Sequence, residues 1–330
     1  MPNEHEGDAT EAVRHLLPES ILGDVTAVAP IRIGLSGAGV YGVTSSRGEY
    51  ILRVQGARAP KAFWAQQLLI WRRAVERGVA PAIVHVDDVH AAVISKRVSG
   101  APLPAVLSDP SVRGNAIADV VRQLRATHEI DPTDVGERDG IEYARLMWED
   151  QRGRPGFPAW AGDIGDRLDA IAAVVGCDSR RVVSHNDVNP SNVLWDGTRT
   201  WLVDWEVAGL NHPYYDLAAF VSFLDLGADA AHALLQMQEQ SPLDDAARAT
   251  FAALRQLVVL ALGCVFLSLV PDLTERTADR RSDAPTLASC YAEMRTGALD
   301  LQMPTGRAAF GLAFLRIGTE PPTSEAADRR

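Results

Sequence analysis

Residues 181–209 read RVVSHNDVNPSNVLWDGTRTWLVDWEVAG. Three apolar segments, VVS, VLW and TWLVDWE, alternate with polar stretches in which His185, Asp187, Asn192 and Asp204 follow one another at intervals of two, five and twelve residues. Phosphoryl transfer asks a protein for positioning and charge: a carboxylate at the attacking hydroxyl, and oxygen ligands for a metal ion on the nucleotide phosphates. The pattern His-x-Asp-x-x-x-x-Asn supplies Asp187 as the base and Asn192 as one ligand. Asp204, at the end of an apolar strand, is the second. Carboxylate and carboxamide oxygens are hard donors suited to Mg²⁺, which retains waters and leans on substrate phosphates. Singly these are ordinary turn formers; as one string between apolar strands they read as a catalytic loop.

Two neighbours carry open readings. His185 either packs and holds the loop by a hydrogen bond or joins Asp187 in proton transfer. Asp216, in HPYYDLAAF, either caps the following helix or braces the catalytic loop.

Upstream, a short helix and turn over residues 11–29 precede a strand from about Ile31 that enters the glycine-rich IGLSGAGVYGV. RGEYILRV then returns as a β-branched strand. Ala62–Arg77 has helical spacing of apolar residues and ends at Gly78, a C-cap glycine. Strands near Ala82–Val86 and Ala91–Lys96 complete a small antiparallel sheet, and SGAPLP is the connector. Beyond it lie helical patterns at Val112–Ile130, Ile141–Trp148, Ile164–Val175, Leu217–Leu224, Ala228–Gln238, Asp244–Leu269 and Ser282–Gly297. The expected plan is α+β and two-lobed: a nucleotide-binding β lobe over residues 1–97 and a mainly helical lobe over 98–330, with a loose acidic tail from about Thr319.

The glycines Gly34, Gly37, Gly39 and Gly42 form either a loose hairpin or a cover whose backbone N–H groups close over phosphates, with the Ser36 hydroxyl. No G-K-[ST] occurs, which excludes a Walker A site, and glycines leading into a strand argue against a dinucleotide fingerprint.

Composition sets limits. The formal charge is −11, and the 231 residues after residue 99 carry 21 Lys and Arg against 33 Asp and Glu, so no basic face for nucleic acid is expected. Three scattered cysteines give neither a disulfide framework nor a zinc site and fit a reducing cytoplasm. The opening MPNEHEGDATEAVRHLL lacks the order of a signal peptide. The 15-residue run Leu257–Pro271 is short for a bilayer span and reads as a buried core helix, so no membrane association is expected.

SHNDVNPSNVLW followed by LVDWEVAGLNHPYYDLA resembles the signature of the choline/ethanolamine kinases and the wider aminoglycoside phosphotransferase family, whose fold is protein-kinase-like. The likeness spans most of residues 31–225. HND, DWE, AGLN and YILRVQGA lean towards the choline-kinase branch, and SGAGVYGV resembles the antibiotic kinases. The resemblance implies Asp187 as base, Asn192 and Asp204 on Mg²⁺, Glu206 at metal or substrate, and a nucleotide set of Ser36, Gly37, Ala38, Gly39, Arg53, Lys96 and Val98 for ATP or GTP. It also exposes departures. Arg53 stands where the family's phosphate-binding Lys is expected, and Gln67 where its Glu partner is expected. Arg53 is then held by a neutral hydrogen bond or by another acid.

The expected acceptor is a small hydroxylated cation or antibiotic, a choline-like alcohol or an aminoglycoside or nucleoside antibiotic, the latter implying antibiotic resistance. Trp148, Trp205, Tyr214 and Glu206 are candidate contacts, since aromatic faces and carboxylates bind ammonium groups; taken singly, each ring reads more readily as core. A catalytically silent nucleotide-binding regulator is the other reading. A monomer or homodimer is expected.

Overall fold

In the computed structural model of the chain, residues 11–31, 39–56, 61–274 and 278–320 are described, with residues 61 and 62 described for the backbone only. The expected phosphate-loop residues Ser36, Gly37 and Ala38, and the tail from 321, lie outside them. The chain divides into two compact units, residues 1–136 with 190–209, and residues 137–189 with 210–330.

In the first unit, period-two alternation puts Val43, Tyr50, Leu52 and Ile94 on one buried sheet face, against Val13, Leu16, Leu17 and Leu22 from the N-terminal segment. Strands β1 (Val25–Pro30), β2 (Gly39–Ser45), β3 (Gly48–Val54), β4 (Ile83–Asp87) and β5 (Ala92–Lys96) form an antiparallel sheet in the order β1-β2-β3-β5-β4. β1 begins before Ile31, where the sequence suggested it, because Val25–Pro30 pairs with Tyr41–Ser45 at the far end of the glycine-rich strand, with one irregularity between Val25 and Ala27. Helix α1 (Lys61–Glu76) ends as expected at Gly78, whose φ of +71° suits a residue without Cβ.

A ribbon completes this unit. β6 (Ala101–Pro102) pairs with β7 (Val193–Trp195), and β7 with β8 (Thr200–Leu202). The ribbon is fastened by Leu202 N–H to the Val79 carbonyl at 3.0 Å. The buried Asp119 of α2 (Arg113–His128) also holds it, accepting from the Thr200 amide and from its hydroxyl at 2.8 Å. Arg199 donates to the Gly78 carbonyl and Gln123 Oε1. These bonds explain why residues 190–209 belong with the sheet.

The second unit is helical: α3 (Gly140–Gln151), α4 (Ile164–Val175), α5 (Tyr215–Phe223), α6 (Ala228–Glu239), α7 (Asp245–Ser268), α8 (Leu287–Thr296) and α9 (Pro304–Gly318). Asp244 caps α7, accepting from the Ala247 amide at 2.7 Å, and at its other end Arg154 donates to the carbonyls of Leu267 and Val270. Helix α7 packs against α3, α4, α5 and α9. By length and composition it is the one helix among the described residues able to cross a membrane, but 72% of its apolar window is buried inside the protein, as the core reading expects.

Helix α9 was not foreseen. Phe310, Leu312, Ala313, Phe314 and Leu315 are all buried, so it is apolar around its circumference and has no 3.6-residue period to detect. Burying each large side chain contributes up to about 2–3 kcal/mol. A Cβ on Gly311 would lie 3.1 Å from the Gly263 carbonyl oxygen of α7, so the two glycines bring these helices into close contact.

Candidate active site

The loop from His185 to Asn189 follows the strand Val182–Ser184, which pairs with the strand carrying Leu210 and Asn211. That strand leads through His212 into α5, and this places Asp216, in the first turn of α5, under the loop. Asp216 is fully buried and does not cap its helix. Its Oδ2 accepts the His185 amide at 2.7 Å and its Oδ1 the Asn186 amide at 2.8 Å. Burial raises its carboxyl above the ordinary range, while His185 and the two amides act the other way. Of the two readings of Asp216, the brace is the one found.

Asn186 adopts a left-handed conformation, φ 64°, and its Oδ1 accepts from Asn211 Nδ2 at 2.9 Å. Such a residue costs about 1 kcal/mol or more and persists where its surroundings hold it. The turn aims Asp187, which is half-buried and accepts Asn189 Nδ2 at 3.0 Å. His185 has no exposed surface, and its Nδ1 accepts the Asp187 amide at 3.3 Å.

Two further residues escaped the sequence reading. Asn211 lacks a spacing signal because its partner is 25 residues away. Tyr143, on α3, is 45% exposed, yet desolvation and then the charge of Asp187 hold its phenol above the usual range. Any helix carries such a tyrosine.

In the first unit, Asn192 and Asp204 are brought together by the ribbon. The Asn192 carbonyl accepts the Val203 amide at 3.0 Å, next to Asp204. Asp204 is left-handed, φ 69°, and leads the turn Trp205–Val207 that carries Glu206. Arg53, on β3 opposite Val40, is 6% exposed. Its Nη1 lies 2.6 Å from Asp204 Oδ1, a charge contact more than an aligned hydrogen bond, and its Nη2 donates to Glu206. Another acid therefore holds Arg53, and in fact two do. Gln67 is buried, and neither side-chain amide atom has a hydrogen-bond partner among the described residues.

Among the described residues no three His, Cys, Asp or Glu side chains gather as a metal site. The donor set is a carboxylate pair with a neighbouring carboxamide residue. Asp204 and Glu206 already converge on one cation, the Arg53 guanidinium, so their oxygens meet where positive charge sits. Oxygen-only donors fit a hard divalent ion that takes its remaining ligands from phosphates and water.

The other expected residues fall as follows. Gly39 begins β2 beside Arg53. Lys96 is exposed at the end of β5, three residues and about 10 Å along the strand from Val93, the partner of Arg53, so the two cations are not neighbours. Val98 is half-buried in the connector. Trp205 is 1% exposed, with its Nε1 on the Leu202 carbonyl. Tyr214 is buried between His212, Phe251 and the Arg180 guanidinium, and the buried Trp148 packs on Phe157. These three rings have the surroundings of core residues.

An antiparallel sheet with its ribbon, and a helical unit, are the lobes of a protein-kinase-like fold. The profile of the phosphotransferase enzyme family matches residues 27–256, and the chain belongs to that family. Protein LicA of Haemophilus influenzae is 40% identical over 52 residues, 16% of this chain and 20% of LicA, so the match spans about a fifth of that relative's length. Among solved structures, a choline/ethanolamine kinase family protein from Mesorhizobium loti is similar at TM-score 0.66 and 17% identity, covering 94% of this chain and 99% of that one. Choline kinase LicA from Streptococcus pneumoniae is similar at TM-score 0.61 and 15% identity, covering 94% and 99%. An aminoglycoside-3'-phosphotransferase of type VIII is similar at TM-score 0.54 and 19% identity, covering 77% of this chain and all of that one. These likenesses give the chain the protein-kinase-like fold.

Proposed function

We propose that the chain is a small-molecule kinase that moves the γ-phosphoryl group of ATP or GTP onto a hydroxyl of a small cationic or antibiotic-like acceptor. The observation that carries this reading is the braced turn at Asp187. A loop held by a buried Asp216 through two backbone amides, with a left-handed Asn186 pinned by Asn211, fixes one half-buried carboxylate. A fixed carboxylate suits a base that takes the acceptor proton.

In this reading Asn192 and Asp204 hold Mg²⁺, and Glu206 stands beside them. The ion neutralises the phosphate charge that develops during transfer. Arg53 grips phosphate with a planar fork of donors. Family membership and the structural likeness to choline and aminoglycoside kinases support this reaction class. They leave the acceptor open between a choline-like alcohol and an antibiotic. Gln67 motivates the silent-relative reading; two acids on Arg53 supply the charge that Gln67 does not.

The test is turnover by Asp187→Ala, followed as nucleoside diphosphate release across alcohols and aminoglycosides. We expect a fall of at least about a hundredfold with nucleotide binding retained. Unchanged turnover overturns the assignment of the base. Failure of every choline-like and antibiotic acceptor removes both acceptor classes.

A further inference from the structure

We propose that Arg53 is an internal counter-ion for the metal carboxylates, which a divalent ion must displace, so that metal and nucleotide phosphate bind by exchanging partners with it. The proposal rests on the reading of Asp204 as a metal ligand. Arg53 is almost wholly buried, yet it is not dedicated to a helix carboxylate: the buried residue on α1 expected to pair with it is the neutral Gln67. Its two terminal nitrogens are instead divided between Asp204 and Glu206, each still about a fifth to a quarter exposed. The acids thus keep an open side, while the arginine approaches them from within the protein.

Arg53 holds one oxygen of each acid, Asp204 Oδ1 and Glu206 Oε2, and a divalent cation on the same carboxylates lies close to the guanidinium, where like charges oppose each other. That repulsion is what loosens Arg53 from Asp204 when metal enters. The loosened fork keeps Glu206 on Nη2 and has Nη1 free, and phosphate oxygens match its geometry. Without ligands the arginine offsets one of the two negative charges of the acids. With both ligands, metal takes the carboxylates and phosphate takes the arginine. Coupling of this kind is reciprocal and spans about five- to 150-fold in typical cases.

The test needs no turnover. Mn²⁺ binding to the nucleotide-free protein is measured from the spin-resonance signal of the free ion for wild type, Arg53→Gln, Arg53→Lys and Asp204→Asn, each checked for native circular dichroism. Arg53→Gln should bind Mn²⁺ at least about fivefold more tightly than wild type. Arg53→Lys, whose single ammonium cannot bridge both acids, should lie between them. Asp204→Asn should lose binding. Equal affinity in wild type and the folded arginine variants, with binding lost in Asp204→Asn, overturns the exchange while leaving the metal site standing. If Arg53→Gln does not fold, Arg53→Lys decides in the same way. Wild-type affinity in Asp204→Asn overturns the metal reading, and the proposal with it.

Discussion

The Arg53 guanidinium and the Asp204 carboxylate are counter-ions, 2.6 Å apart, joining β3 to the turn that follows β8. The same guanidinium reaches Glu206 with its other terminal nitrogen. One planar fork therefore spans two acids. Lysine, a point charge on a flexible stem, does not reproduce that. In Arg53→Lys the KM for nucleotide should rise about tenfold while kcat changes less than about threefold, as expected when ground-state and transition-state binding are lost together. Steady-state kinetics with varied nucleotide checks this; an unchanged KM contradicts it.

Asp216 holds two amides of the loop that carries Asp187 with two separate oxygens. An asparagine there retains one acceptor and turns an NH₂ group towards the second N–H. Asp216→Asn should lose about 1–3 kcal/mol of stability in urea unfolding. Its kcat should fall by up to about a hundredfold through misplacement of Asp187. Nucleotide affinity by calorimetry should stay near wild type. A kcat within about twofold of wild type would show that the loop holds its shape without the charge.

His212 supplies a pH dependence whose sign follows from its hydrogen bonds. Its Nε2–H donates to Asp178 at 3.1 Å and its Nδ1 accepts the Tyr214 amide at 3.1 Å, so a second ring proton would face an N–H group. Burial lowers its pKa from 6.5 to about 4, although Asp178 acts the other way. The unfolded chain therefore takes up the proton first. This contribution is intact above pH 6.5 and lost as the pH falls towards about 4. Between pH 7 and pH 5 the wild-type Tm should drop by on the order of 3 °C more than that of His212→Gln. Parallel curves for the two proteins would refute this.

Gln67 is a buried amide with neither polar atom partnered among the described residues. Removing both its donor and its acceptor at similar volume relieves an unmet desolvation cost. Gln67→Met should leave Tm unchanged or raise it, by no more than about 1 kcal/mol of stability. A marked loss of stability would mean that the amide is partnered in solution.

What the sequence reveals here depends on whether the cause lies near in the chain. Asp187, Asn192 and Asp204 lie within one stretch of eighteen residues, so their spacing declares them. Ile164–Val175 has an apolar stripe with a clear period, and its bounds are found as read. The acids that hold Arg53 come from a segment some 150 residues away, and nothing local to β3 points to them. Burial likewise depends on the finished packing. An alternating or aromatic pattern does not separate a ring facing a ligand from one facing the core, and Trp205, Tyr214 and Trp148 lie among core side chains. Helix α9 is apolar on all sides and holds Gly311 in its interior, a residue that reads as a helix breaker until α7 is seen pressed against it.

The contact between Gly263 and Gly311 bears on where this protein can be cut. The stretch matched by the family profile stops at residue 256, halfway along α7, and the glycine crossing with α9 lies beyond it. A fragment trimmed to the recognisable stretch would split the central helix and discard Val259 and Phe266 of α7 together with Phe310, Ala313 and Phe314 of α9, which share one buried cluster. The helical unit extends at least through Gly318, some sixty residues past the end of the profile match.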